Sequence, residues 1–242
     1  MNVDYNRLDI YKEYLDKAMS YYYSDMEFLK CYKKVPKSRY YSFKYILDYM
    51  KENKLGNILE LGTCKSFVDG RFEGCNSSDT KYWEPGNPEK WDWSAGLFTR
   101  VFAETLKGTN VKLTTVDSCK SYIDRSRLMC KKFKNVEYVC KSPEDYLKEC
   151  NQKFDVIYIN SGNLNPVEDM AIAQLLEVHL IESYELLNKN GIIIFNDVRN
   201  PLPMRDGEEN HYGRSKYSIP FLLENNYELL FDEYQVILKK IL

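Results

Sequence analysis

The residues able to do chemistry in this chain cluster where short apolar runs stop. Asn57-Ile58-Leu59-Glu60-Leu61-Gly62-Thr63 ends in a glycine, so the backbone beyond it can approach a ligand closely and present its amides to polar groups. Leu113-Thr114-Thr115-Val116-Asp117 is stopped by a carboxylate and followed by Ser118. An acid in that place accepts hydrogen bonds from ribose hydroxyls at nucleotide sites on parallel sheets. Cys140-Lys141-Ser142-Pro143-Glu144-Asp145 offers Ser142 as a helix cap and Pro143 at the first helical position, and the same turn can border a planar ring. Two more apolar runs end at Asn160 and at Asn196-Asp197, which supply amide and carboxylate oxygens. The chain has two histidines, His179 and His211.

Each of these residues also has a purely structural reading. A strand-end glycine makes a turn, a strand-end acid sits in solvent, Ser142 caps, and His179 is a partly buried surface residue of a helix. Glu168 and Asp169 open that helix, where its dipole favours carboxylates. Arg199–Tyr217 mixes cations, His211 and tyrosines, and suits either a loop gripping a phosphorylated or sugar-bearing acceptor or a solvated connection.

The elements that must position these residues follow from apolar spacing. Residues 5–34 and 38–53 carry helical periodicity, with Leu8, Tyr11, Leu15 and Met19 in the first and Tyr41, Phe43, Ile46, Leu47 and Met50 in the second. Residues 64–93 have no sustained period and read as a long loop, either a lid or pocket wall or a surface insertion held by three tryptophans. Helical spacing resumes from Ser94, a plausible N-cap, through Leu106. Strands at Val111–Val116, Val136–Cys140, Phe154–Ile159 and Gly191–Phe195 then alternate with helices near 121–133, Ser142–Glu149 and 166–188. Alternation of this kind implies right-handed crossovers and a parallel sheet covered on both faces. Tyr227–Phe231 and Tyr234–Leu238 are separated by two residues and must form a hairpin, which puts an antiparallel strand at one side of the sheet.

Composition narrows the function classes. The net charge of −2 comes from 34 basic and 36 acidic residues mixed along the chain, which disfavours nucleic acid as a partner. Hydrophobic content of 44% with 29% charged residues belongs to a folded globular chain. The seven cysteines form no C-x-x-C pair and read as reduced thiols. With no signal-like start and no run of about 18 apolar residues, the expectation is a cytoplasmic protein without a membrane partner. One domain is the default at 242 residues, and a homo-oligomer stays open.

Taken in order, E-L-G-T ending strand one, V-D ending strand two, S-P-E-D after strand three, F-D-V-I-Y-I-N as strand four and L-L-N-K-N-G-I-I-I-F-N-D-V around strand five resemble the class I S-adenosylmethionine-dependent methyltransferases. Within them the chain is most similar to the branch of the macrocin O-methyltransferases and, more distantly, catechol O-methyltransferase. The resemblance covers about residues 55–240 and implies a Rossmann-like α/β sandwich with a mostly parallel seven-stranded sheet and a terminal antiparallel strand. It implies that Glu60, Gly62 and Thr63 line the methionine end of the cofactor, that Asp117 with Ser118 holds the ribose, and that Ser142 and Glu144 border the adenine. Ser94, Gly96, Phe98 and Thr99 would be a cofactor-binding helix start displaced by the 64–93 insertion, which would lie over the cofactor. Asn160 would touch the cofactor.

Metal-using members of the branch hold a divalent cation such as Mg²⁺ with carboxylates after strands four and five. Here those positions are Asn160, Asn196 and Asp197, a set with one negative charge. Three readings stay open: a weak metal site, metal-free catalysis by Asp197 or His179 as base, and a cofactor-binding or scaffold relative without activity. The acceptor implied is a sugar, a nucleotide sugar or another hydroxylated small molecule. A nucleotide-cofactor dehydrogenase would show G-x-G-x-x-G directly after strand one, and this chain does not.

Overall fold

The structure, a computed structural model, describes residues 1–22, 35–63, 97–163, 166–199 and 212–241. Its elements are α1 (Tyr5–Ile10), α2 (Lys12–Tyr22), α3 (Arg39–Asn53), β1 (Asn57–Leu61), α4 (Phe98–Thr105), β2 (Lys112–Asp117), α5 (Lys120–Met129), β3 (Val136–Cys140), α6 (Pro143–Glu149), β4 (Phe154–Ile159), α7 (Val167–Ser183), β5 (Leu187–Phe195), α8 (Ser218–Glu224), β6 (Tyr227–Asp232) and β7 (Val236–Lys240), with a 3-10 turn at Gly213–Ser215 before α8.

The seven strands form one sheet in the order β3-β2-β1-β4-β5-β7-β6. β1 pairs in parallel with β2 and β4, β2 with β3, and β4 with β5, whereas β7 is antiparallel to β5 and β6. Chain order therefore reverses between β1 and β4, and open α/β sheets bind ligands beyond the carboxyl ends of the strands at such a switch point.

The alternation of side chains along each strand builds two cores. Ile58, Leu113, Val156, Tyr158, Ile192, Ile194 and Ile237 face the layer of α1, α2, α3 and α4, where Leu8, Leu15, Phe43, Ile46, Met50 and Phe102 cover them. The intervening Leu59, Leu61, Ile157, Ile159, Ile193, Phe195 and Leu238 face α6, α7 and α8 through Leu147, Val178, Ile181, Ile219 and Leu222. A strand apolar at consecutive positions is the expected signature of a sheet covered on both sides. No helix among the described residues is long and apolar enough to cross a membrane.

Several boundaries depart from the periodicity. The first helix breaks at Tyr11, which caps α1 and whose hydroxyl accepts from Arg100 Nε at 3.0 Å while donating to Glu104, a tertiary anchor that spacing does not encode. The helix expected to 188 ends at Ser183, because Glu185 turns through φ +50 and the Leu186 amide bonds back to the Ile181 carbonyl at 2.9 Å. Leu186 and Leu187 then enter the core, and β5 begins at Leu187 rather than Gly191. The last strand starts at Val236, not Tyr234: Tyr234 and Gln235 leave the ladder and spend their side chains on Asp197 and Asn196. Residues 23–34 and the whole 64–93 loop with its flank to 96 lie outside the described residues.

Candidate active site

A cleft of about 480 Å³ opens at the switch point, lined from β1 by Gly62 and Thr63, from β2 by Asp117 and Ser118, from the β3–α6 turn by Ser142, Pro143 and Glu144, from β4 by Asn160 and the residues after it, and from β5 by Asp197. Sequence-distant strand tips thus meet around one space, as parallel pairing in register requires. α5 adds Tyr122, α7 adds Met170, Ala173, Gln174 and Glu177, and the 3-10 turn adds Arg214.

The β1 and β2 tips are tied to one another. Gly62 turns with φ +84 and its amide donates to the Val116 carbonyl at 2.8 Å. One Asp117 oxygen accepts the Thr63 amide at 3.1 Å and the other the Cys119 amide at 2.7 Å. Burial raises the Asp117 carboxyl above its ordinary value, and these two amides act against that shift by favouring the charged form. An anchored, half-buried carboxylate with acceptor capacity left over is suited to a pair of vicinal hydroxyls.

Glu60 lies beneath this turn and does not line the cleft. Its side chain is fully buried, and one carboxyl oxygen accepts from Thr115 Oγ1 at 2.6 Å and from Thr99 Oγ1. Its other oxygen has no hydrogen-bond partner among the described residues. Burial pushes the carboxyl up to about 7, against the two threonine hydroxyls that favour ionisation. Thr99 Oγ1 also lies 3.3 Å from Thr63 Oγ1, so Glu60 and Thr99 support the loop from below. Phe98 is a core residue, its ring stacked between Tyr158 at 3.9 Å and Phe102 at 4.1 Å. Glu60, Phe98 and Thr99, expected from the resemblance at the cofactor, are all buried beneath the cleft: the parity of β1 and the buried face of α4 direct all three into the core. Ser94 and Gly96 lie outside the described residues, as does His211.

At the third tip Ser142 Oγ accepts the Asp145 amide at 3.1 Å, with Pro143 opening α6, so capping and cleft lining coincide in one residue. Opposite it, α7 presents Gln174 and Glu177, three positions apart and hence on one helix face. Both are 2% exposed. Neither the side-chain nitrogen nor the oxygen of Gln174 has a hydrogen-bond partner among the described residues. Glu177 accepts from Ser161 Oγ at 2.7 Å, and burial, aided by the nearby Glu144, pushes its carboxyl up to about 8 despite that hydrogen bond and Arg214.

The β4 and β5 tips form a polar corner dominated by arginines. Asn160 donates from Nδ2 to the Gly62 carbonyl at 3.2 Å, and its Oδ1 accepts from Asn196 Nδ2 at 2.6 Å and from Arg214 Nη2 at 3.2 Å. Asn196 Oδ1 accepts from Arg39 Nε at 3.0 Å and from Gln235 Nε2 at 2.6 Å. Asp197, at φ +58, receives Arg39 Nη2 at 2.5 Å and Tyr234 OH at 2.7 Å on Oδ1, with Arg214 Nη2 3.5 Å from Oδ2. A divalent ion needs several oxygens with free lone pairs and enough negative charge to offset its dehydration. Here both amide oxygens already accept two hydrogen bonds, and the single carboxylate faces two guanidinium groups. Asn160, Asn196 and Asp197 therefore do not fit a metal, which corrects the weak-site expectation. Among the described residues no group of three His, Cys, Asp or Glu side chains is placed to hold one.

His179 is an exposed residue of α7 whose ring lies 4.4 Å from that of Phe221, and it does not line the cleft. It is not placed to act as a base there, because its helical position is on the face turned to α8. The sequence singled out Gly62, Thr63, Asp117, Ser118, Ser142, Glu144, Asn160 and Asp197, all of which line this one cleft. It missed Arg39, Gln174, Glu177 and the role of Arg214. Arg214 stood within the Arg199–Tyr217 stretch already marked by its cations, whereas a lone arginine at the start of α3 gives no signal of its partners.

No protein-family model and no curated protein matches the chain by sequence. Solved structures match it by fold. The S-adenosylhomocysteine-bound methyltransferase PaMTH1 of Podospora anserina superposes with a TM-score of 0.51 at 16% identity, over 95% of this chain and 88% of that one. The N-methyltransferase NodS of Bradyrhizobium japonicum WM9 gives 0.48 at 11% identity, over 82% and 94%. An rRNA methylase of Streptococcus thermophilus gives 0.42 at 11% identity, over 81% and 93%. At these identities the likeness is one of fold: the chain has the Rossmann-like α/β fold of the class I methyltransferases, and the macrocin or catechol branch has no support beyond the motifs.

Proposed function

We propose that the chain is an S-adenosylmethionine-dependent methyltransferase acting on a small hydroxylated acceptor. The observation that carries this reading is the convergence of Gly62, Thr63, Asp117, Ser142 and Glu144 on one cleft at the switch point of the sheet. The PaMTH1 structure, which holds the demethylated cofactor, lends support through its shared fold. In this reading Asp117 accepts from the ribose hydroxyls, the β3–α6 turn borders the adenine, and the Gly62–Thr63 backbone faces the amino-acid end beside Asn160.

Methyl transfer from a sulfonium is an in-line displacement, so the cofactor brings the electrophile and the protein supplies alignment and water exclusion. The Asn160–Asn196–Asp197 corner bounds the acceptor end of the cleft. Among the described cleft residues Asp197 is the carboxylate at that end, and its Oδ2 edge is where a hydroxyl proton would be taken up. Its contacts with Arg39, Tyr234 and Arg214 fix its orientation and engage both of its oxygens. The same contacts favour a second reading, a relative that binds cofactor without turnover.

Calorimetric titration with S-adenosylhomocysteine tests the first step. Binding in the micromolar range is expected, weakened at least tenfold in Asp117→Ala. No binding by the unaltered chain sinks the methyltransferase reading, and binding with no turnover on any hydroxylated acceptor selects the second. An O-methyl acceptor such as a sugar rests on the motif resemblance, and N-methylation of an amine is the outcome that would displace it.

A further inference from the structure

We propose that Arg214 is the resident cation of this cleft, filling the oxygen cage at the β4 and β5 tips that would otherwise invite a divalent metal. The idea rests on reading the cleft as a methyl-transfer site, but its test does not require that reading.

The geometry is that of a cation in a cage. Arg214 Nη1 donates to the carbonyls of Ser161 at 2.9 Å and Gly162 at 3.3 Å. Nη2 donates to Asn160 Oδ1 at 3.2 Å and lies 3.5 Å from Asp197 Oδ2. Two main-chain carbonyls, an amide oxygen and a carboxylate oxygen therefore converge on one guanidinium whose side chain is 3% exposed. This is a hard, all-oxygen set of the type Mg²⁺ or Mn²⁺ takes, so ion and guanidinium compete for the same lone pairs. The guanidinium has the advantage of covalent attachment and a planar fork that spreads its charge over several acceptors.

Charge and residue type agree with that assignment. Asp197 brings one negative charge and faces both Arg39 and Arg214, so the corner is net positive without any added ion. Asparagine at position 160 fits the same logic: its Nδ2 donates to the Gly62 carbonyl, which a carboxylate cannot do, while its Oδ1 still accepts from Arg214. A monovalent guanidinium needs acceptors in the right directions more than it needs a second carboxylate. The 3-10 turn Gly213–Ser215 packs on α7 and fixes the arginine's entry point, with Gly213 at φ +51.

Replacing the built-in cation should recreate a metal site. Mn²⁺ binding is followed by the loss of the free-ion electron paramagnetic resonance signal, for the unaltered chain, for Arg214→Ala combined with Asn160→Asp, and for each with Asp197→Asn added. The unaltered chain is expected to take up no Mn²⁺ that depends on Asp197. The Arg214→Ala, Asn160→Asp variant is expected to bind at least tenfold more tightly, with the gain abolished by Asp197→Asn. Should that variant not fold, Arg214→Ser alone replaces it, with a gain of at least threefold expected. Asp197-dependent uptake by the unaltered chain overturns the proposal, and so does a folded variant that gains nothing. A purely structural arginine predicts no such gain. Failure of S-adenosylhomocysteine to bind would remove the methyltransferase reading while leaving these metal results to decide the cage.

Discussion

Gly62 has φ +84, and a Cβ built there would lie 2.6 Å from the carbonyl carbon and oxygen of Asn160 and from the Ser161 nitrogen. Backbone, unlike the end of a flexible side chain, cannot swing away, so any other residue must push the β1 and β4 tips apart. Those tips carry Thr63 on one side and Asn160 on the other, and the Asn160 bond to the Gly62 carbonyl crosses the same gap. Gly62→Ala should therefore lower stability by about 2–4 kcal/mol and weaken S-adenosylhomocysteine together with it. A thermal melt and a titration on the same sample check this. Unchanged melting would mean that the tips are not in contact. In the sequence Gly62 was recognisable as a turn, but its closeness to Asn160 was not, since that depends on β4 pairing beside β1.

At the scale of elements, α7 presents a face that propensity cannot explain. A helix that lines a cleft with Gln174 and Glu177 buries two polar side chains, at a cost unless each is paired or neutral. Glu177 resolves the conflict by staying protonated: its carboxyl titrates near 8 instead of 4.5, chiefly because it is buried. The native state then holds a proton between those values that the unfolded chain has lost, so this group's contribution to stability is full below about 4.5 and declines as pH rises through 8. Glu177→Gln removes the titration. The variant should gain on the unaltered protein by on the order of a few kcal/mol between pH 5 and pH 8. Glu60, near 7, is common to both proteins and cancels. Denaturant midpoints at the two pH values that move in parallel would refute it. The strands were readable because double-sided burial makes near-continuous apolar runs, and Asp117 because it interrupts one. Less readable were the break at Tyr11, the end of α7 at Ser183 and the start of β7 at Val236, each set by a contact between distant residues. Glu177 was hidden for the same reason, since a glutamate in a helix is ordinarily a solvated one.

Across the whole molecule Arg39 joins parts that are far apart in the chain. It opens α3, is 1% exposed, and bonds to Asn196 and Asp197 at the end of β5 while lying 4.8 Å from the Tyr234 ring centre. Around it Ser42 donates to Gln235, the Lys37 amide to Glu233 at 3.0 Å, and Ser38 Oγ to Asp16 at 2.5 Å, so the N-terminal helices, β5 and the β6–β7 turn share one network. The β5 end of the cleft is thus held from behind by residues that precede the sheet in sequence. A buried pair broken on one side leaves the other charge without compensation, which typically costs about 3–5 kcal/mol, whereas exposed pairs such as Lys44 with Asp48 contribute about 0–1 kcal/mol. Arg214 still faces Asp197, so Arg39→Met should cost about 2–4 kcal/mol, and Lys44→Ala well under 1. In a double-mutant cycle with Asp197→Asn the two changes should fall short of additivity by at least about 1 kcal/mol, because the second removes a charge already stranded by the first. Chemical denaturation of the four proteins measures that coupling. Strict additivity would show that α3 and β5 are not joined through this pair, and the account of how the N-terminal helices brace the cleft would fall.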